Sequence, residues 1–385
     1  MRKRTSILIT GDFCPVNRTS DLILDGKFEL LFNDFLPYIK DAGLAITNLE
    51  CPLTEKESKI DKSGPLLKAS VRSAEALSYS GFKLVTLANN HIMDFGFPGM
   101  TSTINICERN GIDHVGAGAN FTEAREAYYT KLGNYDVAIL NIAENEFSTT
   151  HGNYPGSNPL DPIENYYDIA KAKAKADYVI VIVHSGHEMY NLPSPRTKNT
   201  FHFYADAGAS AIVGHHAHCY SGYEIYRDIP IFYGLGNFIF DKPARRNSSW
   251  NFGFAVELLL GGKVTYNIVP YNQSDGNVGV RLLEKISEWE FFKSIERLNS
   301  IIINDELLNA EFEKYCARER RMYSSFLEPH SIRLIHFLQN RKLFPSLLSK
   351  RKKTLYLNLM RCESHRDVLL NLLNTREHFK ENEID

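Results

Sequence analysis

The stretch LANNHIMDFG, residues 87–96, places two asparagines and a histidine directly after an apolar run. Asparagine competes with backbone hydrogen bonding, so this is poor material for the interior of a strand or a helix. An amide oxygen and an imidazole nitrogen are, however, ligands of divalent metals. The stretch therefore predicts either a metal-binding strand end or a simple turn with His91 as a cap.

Similar polar groups follow five other apolar runs. They are Gly11-Asp12 after 6–10, Asn48-Leu49-Glu50 after 44–47, His184-Ser185-Gly186-His187-Glu188 after 178–183, Gly214-His215-His216-Ala217-His218 after 211–213, and Gly234-Leu235-Gly236-Asn237 after 229–233. Ligands of open α/β sheets bind at the carboxyl ends of the strands, so these groups could meet in one crevice. One histidine or aspartate at a strand end is usually structural. Burying so many polar groups without partners would be costly, which favours a metal site.

The runs themselves predict the elements that must position these side chains. Most are apolar at nearly every residue, which is typical of strands covered on both faces. Helix candidates over 70–80 and 121–128 lie between them, and this alternation predicts an α/β fold. The last runs, 254–260 and 263–271, are separated only by Gly261-Gly262, so they add an antiparallel part.

After about residue 282 the pattern becomes helical, so we divide the chain into domains at 1–281 and 282–385. The predicted helices span 283–300, 305–324, 330–349 and 354–374. Residues 314–361 hold twelve Lys/Arg against two Asp/Glu. That excess indicates either a solvated helix face or a surface for an anionic partner such as an acidic polymer, a membrane or a nucleic acid.

Composition excludes some classes. The 385 residues are 43% hydrophobic with a formal net charge of −2, so we expect no nucleic-acid partner from overall charge. The six cysteines form no CxxC pair, which gives no signal for a cysteine-type zinc site. The N-terminus lacks the apolar segment of a signal peptide and no run is long enough to span a bilayer, so we predict a cytoplasmic protein without a transmembrane segment.

The order of the motifs over about residues 5–270 resembles the CapA family of poly-gamma-glutamate capsule biosynthesis proteins, within the calcineurin-like metallophosphoesterase superfamily. The resemblance implies a four-layer α/β/β/α sandwich with a two-metal centre at the sheet edge, here followed by a C-terminal helical appendage. It implies two divalent ions, Mn, Fe or Zn.

The resemblance also implies roles by position. Asp12 would hold the first metal with His218, and Glu50 would bridge both metals. Asn90, His184 and His216 would complete the ligands of the second metal, beside the bridging Glu50. His91, oriented by Asp94, would be the non-ligand histidine that assists the leaving group. The remaining polar residues would contact substrate or support the ligands: Asn89, His187, Glu188, His215 and Asn237.

Two departures from the superfamily pattern affect the metal ligands. Cys14 stands where a histidine is common two residues after the first aspartate, so Cys14, Asn17 or a water would replace that ligand. Glu50 stands in place of the usual bridging aspartate. His215 beside the His-x-His pair leaves open a shift of ligand by one position.

We therefore expect a metal-dependent hydrolase, a phosphoesterase in the first instance, that acts in the biosynthesis of capsule or another anionic surface polymer. Amide or ester cleavage on such a polymer stays open. Expected partners are an anionic small molecule or polymer and capsule-synthesis machinery. The alternative is a non-catalytic polymer-binding subunit of a capsule assembly system. A TIM-barrel amidohydrolase ranks below both, because in that family the His-x-His metal site follows the first strand, whereas here it comes after residue 210.

Overall fold

Strands and helices alternate along most of the chain. The computed structural model describes residues 5–327, 338, 341, 343 and 348–373. The strands are β1 (Ser6–Phe13), β2 (Leu44–Leu49), β3 (Leu84–Thr86), β4 (Asp113–Val115), β5 (Ala117–Gly118), β6 (Tyr128–Leu132), β7 (Tyr135–Ala143), β8 (Gly156–Ser157), β9 (Tyr178–His184), β10 (Ala211–His215), β11 (Tyr223–Tyr226), β12 (Ile229–Phe232), β13 (Asn237–Ile239), β14 (Phe252–Leu259), β15 (Thr265–Gln273) and β16 (Val280–Leu282). The helices are α1 (Arg18–Leu24), α2 (Phe28–Phe32), α3 (Leu36–Asp41), α4 (Ser73–Ser80), α5 (Gly96–Arg109), α6 (Phe121–Ala124), α7 (Pro162–Lys173), α8 (Pro195–Asp206), α9 (Lys285–Ile302), α10 (Asp305–Leu327), α11 (Lys350–Arg361) and α12 (Glu363–Leu373).

Two mixed sheets form the centre of the molecule. The first has the order β16-β15-β14-β1-β2-β3-β4, with β13 also paired to β1. Its strands β1 to β4 are parallel, and β14 to β16 add the predicted antiparallel part. The second has the order β11-β12-β10-β9-β7-β6, and its four inner strands are parallel. Every strand predicted from an apolar run is confirmed.

Three hydrophobic clusters define four layers. The cluster between the sheets combines side chains of the first sheet, such as Ile9 and Ile46, with side chains of the second, such as Ile180 and Val213. A second cluster joins the outer face of the first sheet to α1–α5. A third joins the outer face of the second sheet to α7, α8 and the C-terminal helices. The predicted α/β/β/α sandwich is confirmed, because each sheet buries one face against the other sheet and one against helices.

The parallel registers bring the polar strand ends together. In the first sheet Asp12 lies opposite both Asn48 on β2 and Asn237 on β13. In the second sheet His184 pairs with both Ala143 and His215. The close approach of β13 to β1 requires a glycine before Asp12, since a Cβ on Gly11 would lie 1.9 Å from the Gly236 carbonyl oxygen.

The C-terminal helices pack on the second sheet. Leu298 and Ile302 of α9, Phe312 of α10 and Val368 of α12 belong to the same buried cluster as Val181 of β9. The predicted division of the chain at 281/282 stays a prediction. Among the described residues, no helix combines the length and the apolar character needed to cross a bilayer.

Two helix predictions differ from the structure, and a third falls outside the part of the chain that the structure describes. The helix predicted over 354–374 is two helices, because Cys362 between α11 and α12 has extended backbone angles. Only Phe121–Ala124 of the predicted 121–128 helix is helical, since Tyr128 begins a strand paired with β7. The helix predicted over 330–349 falls almost wholly outside the described residues.

The intersheet core provides a test of the architecture. We expect Ile180→Ala to lower the free energy of unfolding by about 2–5 kcal/mol, because the fully buried side chain fills the space between the sheets. Ile286→Ala is the matched control, since Ile286 on α9 is 78% exposed. Urea unfolding of both variants checks this, and equal stabilities would contradict the assignment of the core.

Candidate metal centre

Two groups of metal-ligating side chains share Glu50. Donor atoms of Asp12, Glu50 and His218 lie within 4.8 Å of one another, and so do those of Glu50, His184 and His216. All five residues are buried at the carboxyl ends of strands or in the loops that follow them. The structure therefore brings together five of the six predicted ligands, and the sixth, Asn90, adjoins the second group.

In the first group, His218 lies between the two carboxylates. Its Nδ1 is 3.6 Å from Asp12 Oδ2, and its Nε2 is 3.6 Å from Glu50 Oε1. Both distances exceed an ordinary hydrogen-bond length of about 2.7–3.2 Å. The spacing leaves room for a cation between the groups.

In the second group, three donor atoms converge near Glu50. His184 Nε2 lies 3.0 Å from His216 Nδ1, 3.2 Å from Asn90 Oδ1 and 3.6 Å from Glu50 Oε1. Two imidazole nitrogens this close can form a hydrogen bond only if one is protonated. If both lone pairs face one cation, no proton is required.

Glu50 gives the clearest indication of a missing partner. Both of its carboxylate oxygens are buried, and neither has a hydrogen-bond partner in the described part of the chain. A buried unpaired carboxylate is strongly disfavoured. A carboxylate, imidazoles and an amide oxygen are suitable donors for divalent ions such as Mn, Fe or Zn. The residues present therefore fit a divalent metal.

The electrostatics of the metal-free groups point the same way. Burial, and then the negative charge of Asp12, raise the pKa of Glu50 well above its usual range. Burial alone would raise the pKa of Asp12 as well, but the surrounding histidines hold that pKa well below its ordinary value. Burial and the neighbouring His216 lower the pKa of His184. The site thus lacks positive charge near Glu50, and a cation would supply it.

Buried asparagines hold the candidate ligands in place. Asn48 Nδ2 donates to Asp12 Oδ1 at 2.7 Å and lies 3.2 Å from His184 Nδ1. Asn237 Oδ1 lies 3.0 Å from His218 Nδ1. Such contacts fix the orientation of a histidine toward a metal.

Asn89 has a different task. Its Oδ1 accepts the backbone N–H groups of His91 and Ile92, at 3.1 and 3.0 Å, and its Nδ2 donates to the Leu49 carbonyl oxygen. These bonds tie the turn that carries Asn90 and His91 to the end of β2.

The His-x-His segment has a strained backbone. His216 has φ +93° and His218 has φ +56°, in the left-handed region that favours glycine. Such strain persists only where the surroundings impose it and is concentrated at functional sites. In this conformation His218 belongs to the first donor group and His216 to the second, and Glu50 is common to both groups.

His91 lies beside the metal groups in a buried charged cluster. Its Nδ1 is 2.7 Å from Asp94 Oδ2, while Lys62 Nζ is 2.5 Å from Asp94 Oδ1 and 3.1 Å from His91 Nδ1. Burial, and then the charge of Lys62, lower the pKa of His91, against the effect of Asp94. Because Nδ1 faces Asp94, Nε2 is the ring nitrogen that could meet a substrate.

A cavity of about 950 Å³ opens over these groups. Asn90, His91, His216 and Glu188 are among its lining residues. His187 also lines it, but its Nε2 contacts the Ser364 carbonyl oxygen at 3.0 Å, which ties the β9 loop to α12.

His215 is turned away from the donor groups. Its Nε2 lies 2.9 Å from the Thr10 carbonyl oxygen, so it links the second sheet to β1. Cys14 is fully buried in the core cluster that also holds Cys51, and Asn17 Nδ2 donates to the Asp241 carbonyl oxygen. Neither Cys14 nor His215 belongs to the donor groups found among the described residues.

Sequence reasoning missed four residues near the site. The sequence places Asn48 at a strand end but assigns it no role, and Lys62 lies in a loop where no sequence motif indicates a function. Glu144 and Glu146 follow the apolar run 137–143, so the strand-end criterion would have found them. Glu144 lies 3.1 Å from Arg196, and Glu146 accepts a hydrogen bond from Asn90 Nδ2 at 2.9 Å.

The fold and the site together define a two-sheet α/β protein with a buried cluster of divalent-metal ligands at its strand ends. The profile described as "Bacterial capsule synthesis protein PGA_cap" matches residues 6–242. The chain belongs to this bacterial capsule synthesis protein family, and the resemblance inferred from the motifs is confirmed.

Several relatives have capsule-related names. "Capsule biosynthesis protein CapA" of Bacillus anthracis is 31% identical over 287 residues, 71% of this chain and 69% of that protein. "PGA biosynthesis protein CapA" of Bacillus subtilis is 33% identical over 218 residues, 56% of this chain and 57% of that protein. A "probable polyglutamine synthesis accessory protein" of Mycobacterium tuberculosis is 29% identical over 211 residues, 51% and 56% of the two chains. The chain thus spans a little over half the length of the latter two.

Solved structures show looser similarity. A "novel phosphatase" from Mycoplasma pneumoniae superposes with a TM-score of 0.45 at 16% identity, over 71% of this chain and 96% of that one. A "putative 5'-nucleotidase" from Staphylococcus aureus gives 0.41 at 13% identity, over 76% and 58%.

Glu50→Gln separates a metal ligand from a structural residue. We expect the metal content to fall by more than one ion per chain, because the carboxylate shared by both donor groups is lost. Compared in their metal-free forms, wild type and variant should have free energies of unfolding within about 1 kcal/mol, since burial disfavours the charged form of Glu50 and the amide replaces a carboxyl group of nearly the same shape. Elemental analysis and urea unfolding measure both. Glu188→Gln, at the cavity wall, is the control and should keep its metal.

Proposed function

We propose that this chain is a metal-dependent hydrolase with a two-ion centre, acting on phosphoesters in the biosynthesis of capsule or another anionic surface polymer. The observation that carries the proposal is the sharing of Glu50 by two donor groups, with the His91–Asp94 pair on the same cavity. Asp12, Glu50 and His218 would hold one ion. Glu50, Asn90, His184 and His216 would hold the other.

Two divalent ions bound there would supply a nucleophile at neutral pH and neutralise the charge that develops on the attacked group. The chain's own residues do the rest. Asn48, Asn89 and Asn237 hold the ligands in one geometry, so that little reorganisation is needed during the reaction. The cavity places the substrate against this buried floor.

His91 would serve the leaving group. Burial and Lys62 disfavour the imidazolium form of His91, whereas Asp94, which accepts from Nδ1, favours it. In the imidazolium form, Nε2 would donate a proton or a hydrogen bond to the leaving oxygen. Lys62 keeps Asp94 paired and adds positive charge at the cavity wall. This cluster is buried, so its charges act through little water.

The cavity suits an anionic substrate. Cationic side chains on its walls include Lys62, Arg245, Arg351 and Lys352. The last two belong to the basic C-terminal segment singled out in the sequence. The capsule names of the relatives agree with action on a surface polymer, which could be cleaved at an ester or amide bond instead.

A non-catalytic, polymer-binding subunit is the second candidate. The observation that favours it is Cys14, which occupies the position of a common first-metal histidine and lies in the hydrophobic core. The first group then has only Asp12, Glu50 and His218 as candidate ligands among the described residues. A relative named as an accessory protein agrees with this role.

His91→Asn distinguishes the two functions. If the chain is a hydrolase, we expect turnover of a chromogenic phosphodiester to fall about 10²–10⁴-fold, because the proton donor to the leaving group is lost. Metal content should stay at the wild-type value, since His91 is in neither donor group. Initial rates and elemental analysis on the same preparation provide both numbers.

His151→Asn, at an exposed position, is the matched control and should keep full activity. Equal turnover in wild type and His91→Asn would remove His91 from the mechanism. Two bound ions without turnover of any phosphoester, together with retained binding of a polyanion, would favour the binding subunit.

A further inference from the structure

A third group of metal-ligating side chains lies beside the proposed centre. It consists of Glu146, after β7, Cys362, between α11 and α12, and His365, in the first turn of α12. One donor atom from each lies within 4.8 Å of the others. Cys362 and His365 lie beyond the residues that match the family profile, so this group is a property of the chain's own C-terminal helices.

The spacing within this group suits a cation better than hydrogen bonds. Glu146 Oε1 lies 3.6 Å from His365 Nε2 and 3.8 Å from Cys362 Sγ. Ligands about 2.0–2.3 Å from a tetrahedral zinc ion lie roughly 3.3–3.7 Å from one another. Both of these spacings are close to the edge of such a tetrahedron, and all three donor atoms lie within 4.8 Å of one another.

Further contacts orient two of the three donors. Tyr323 Oη lies 2.8 Å from His365 Nδ1 and can accept its proton, which leaves the Nε2 lone pair facing the group. Asn90 Nδ2 donates to Glu146 Oε2 at 2.9 Å, which leaves Oε1 free for the group. Metal ligands commonly form a hydrogen bond through the side-chain atom that does not face the metal.

Glu144 is the competing partner of the thiol. Its Oε2 lies 3.6 Å from Cys362 Sγ. The Glu144 carboxylate already accepts from the Ser364 hydroxyl at 2.6 and 2.7 Å and pairs with Arg196 at 3.1 Å. Glu144 thus has its own partners, and Glu146 is the carboxylate that belongs to the group.

We propose that Glu146, Cys362 and His365 form a third divalent-cation site, of the zinc class. A thiolate, an imidazole and a carboxylate are a borderline-soft set that suits Zn²⁺. Three protein ligands leave one position open, and Glu146 and His365 line the cavity, so that position can take a water or an anionic group of a substrate. The site does not depend on the proposed hydrolysis.

The position of this third site couples it to the second donor group. The Asn90 side chain contacts His184 through Oδ1 and Glu146 through Nδ2. A cation held by Cys362 and His365 would also fasten α11 and α12 to the exit of β7. The ion would add to the contacts that already hold α12 at the cavity wall, such as the hydrogen bonds from Ser364 to Glu144.

Cobalt(II) absorbance tests the site on the full chain. Metal-free protein is titrated with cobalt(II), and the near-ultraviolet band of a cobalt–thiolate bond is recorded. We expect the band in wild type and its loss in Cys362→Ser, with zinc content falling from about three ions per chain to about two. Cys14→Ser, another fully buried cysteine near the metal groups, is the matched control and should keep the band.

Other outcomes would overturn the proposal. No band in wild type excludes a thiolate ligand, and a band that is lost in Cys14→Ser but kept in Cys362→Ser assigns the thiolate elsewhere. If Cys362→Ser does not fold, His365→Gln is used, since that side chain is 31% exposed. It should change the band and lose one ion, and an unchanged spectrum would count against the site. The double variant His216→Ala and His218→Ala should keep the band. This variant therefore distinguishes loss of the two-ion centre from loss of the third site.

Discussion

The burial of Glu50 without a partner is the constraint on which the rest of the site depends. Its carboxylate lies next to Asp12, and neither residue is exposed. Two carboxylates so placed repel each other and are poorly solvated, so the fold is stable there only with compensating positive charge or a proton. Among the surrounding histidines, burial lowers the pKa of His184, whereas Asp12, against the effect of burial, raises the pKa of His218. A bound metal resolves this conflict, and the neighbouring asparagines hold the donors ready for it.

The two sheets meet at this carboxylate. Asp12 and Glu50 come from the first sheet, whereas His184, His216 and His218 come from the second and the loop after it. The contacts that cross between the sheets at this edge include those of Asn48 with His184 and of His215 with the Thr10 carbonyl oxygen. Any shift of one sheet against the other would therefore separate the donors. The intersheet core is thus the element that sets the geometry of the site.

The C-terminal helices add to this framework rather than standing apart from the site. Helices α9 and α10 pack against the second sheet, and α12 brings Ser364 and His365 to the cavity wall. Arg351 and Lys352 of α11 line the same cavity. Their positive charge would suit the anionic substrate proposed above.

The sequence by itself determined the strands, the α/β class and the candidate donor residues, and the resemblance of its motifs to a family implied the sandwich. Apolar runs that end in polar side chains reveal buried parallel strands, and the carboxyl ends of such strands meet at one edge by the geometry of the sheet. His-x-His and Asn-Asn-His are local patterns, so one sequence can show them. Only the tertiary structure decided what lies between distant segments. Lys62 beside Asp94, Asn48 between Asp12 and His184, and the group of Glu146, Cys362 and His365 each join residues with no shared periodicity or spacing. The packing of loops and C-terminal helices sets these meetings, because side-chain contacts across long chain separations depend on how whole layers pack.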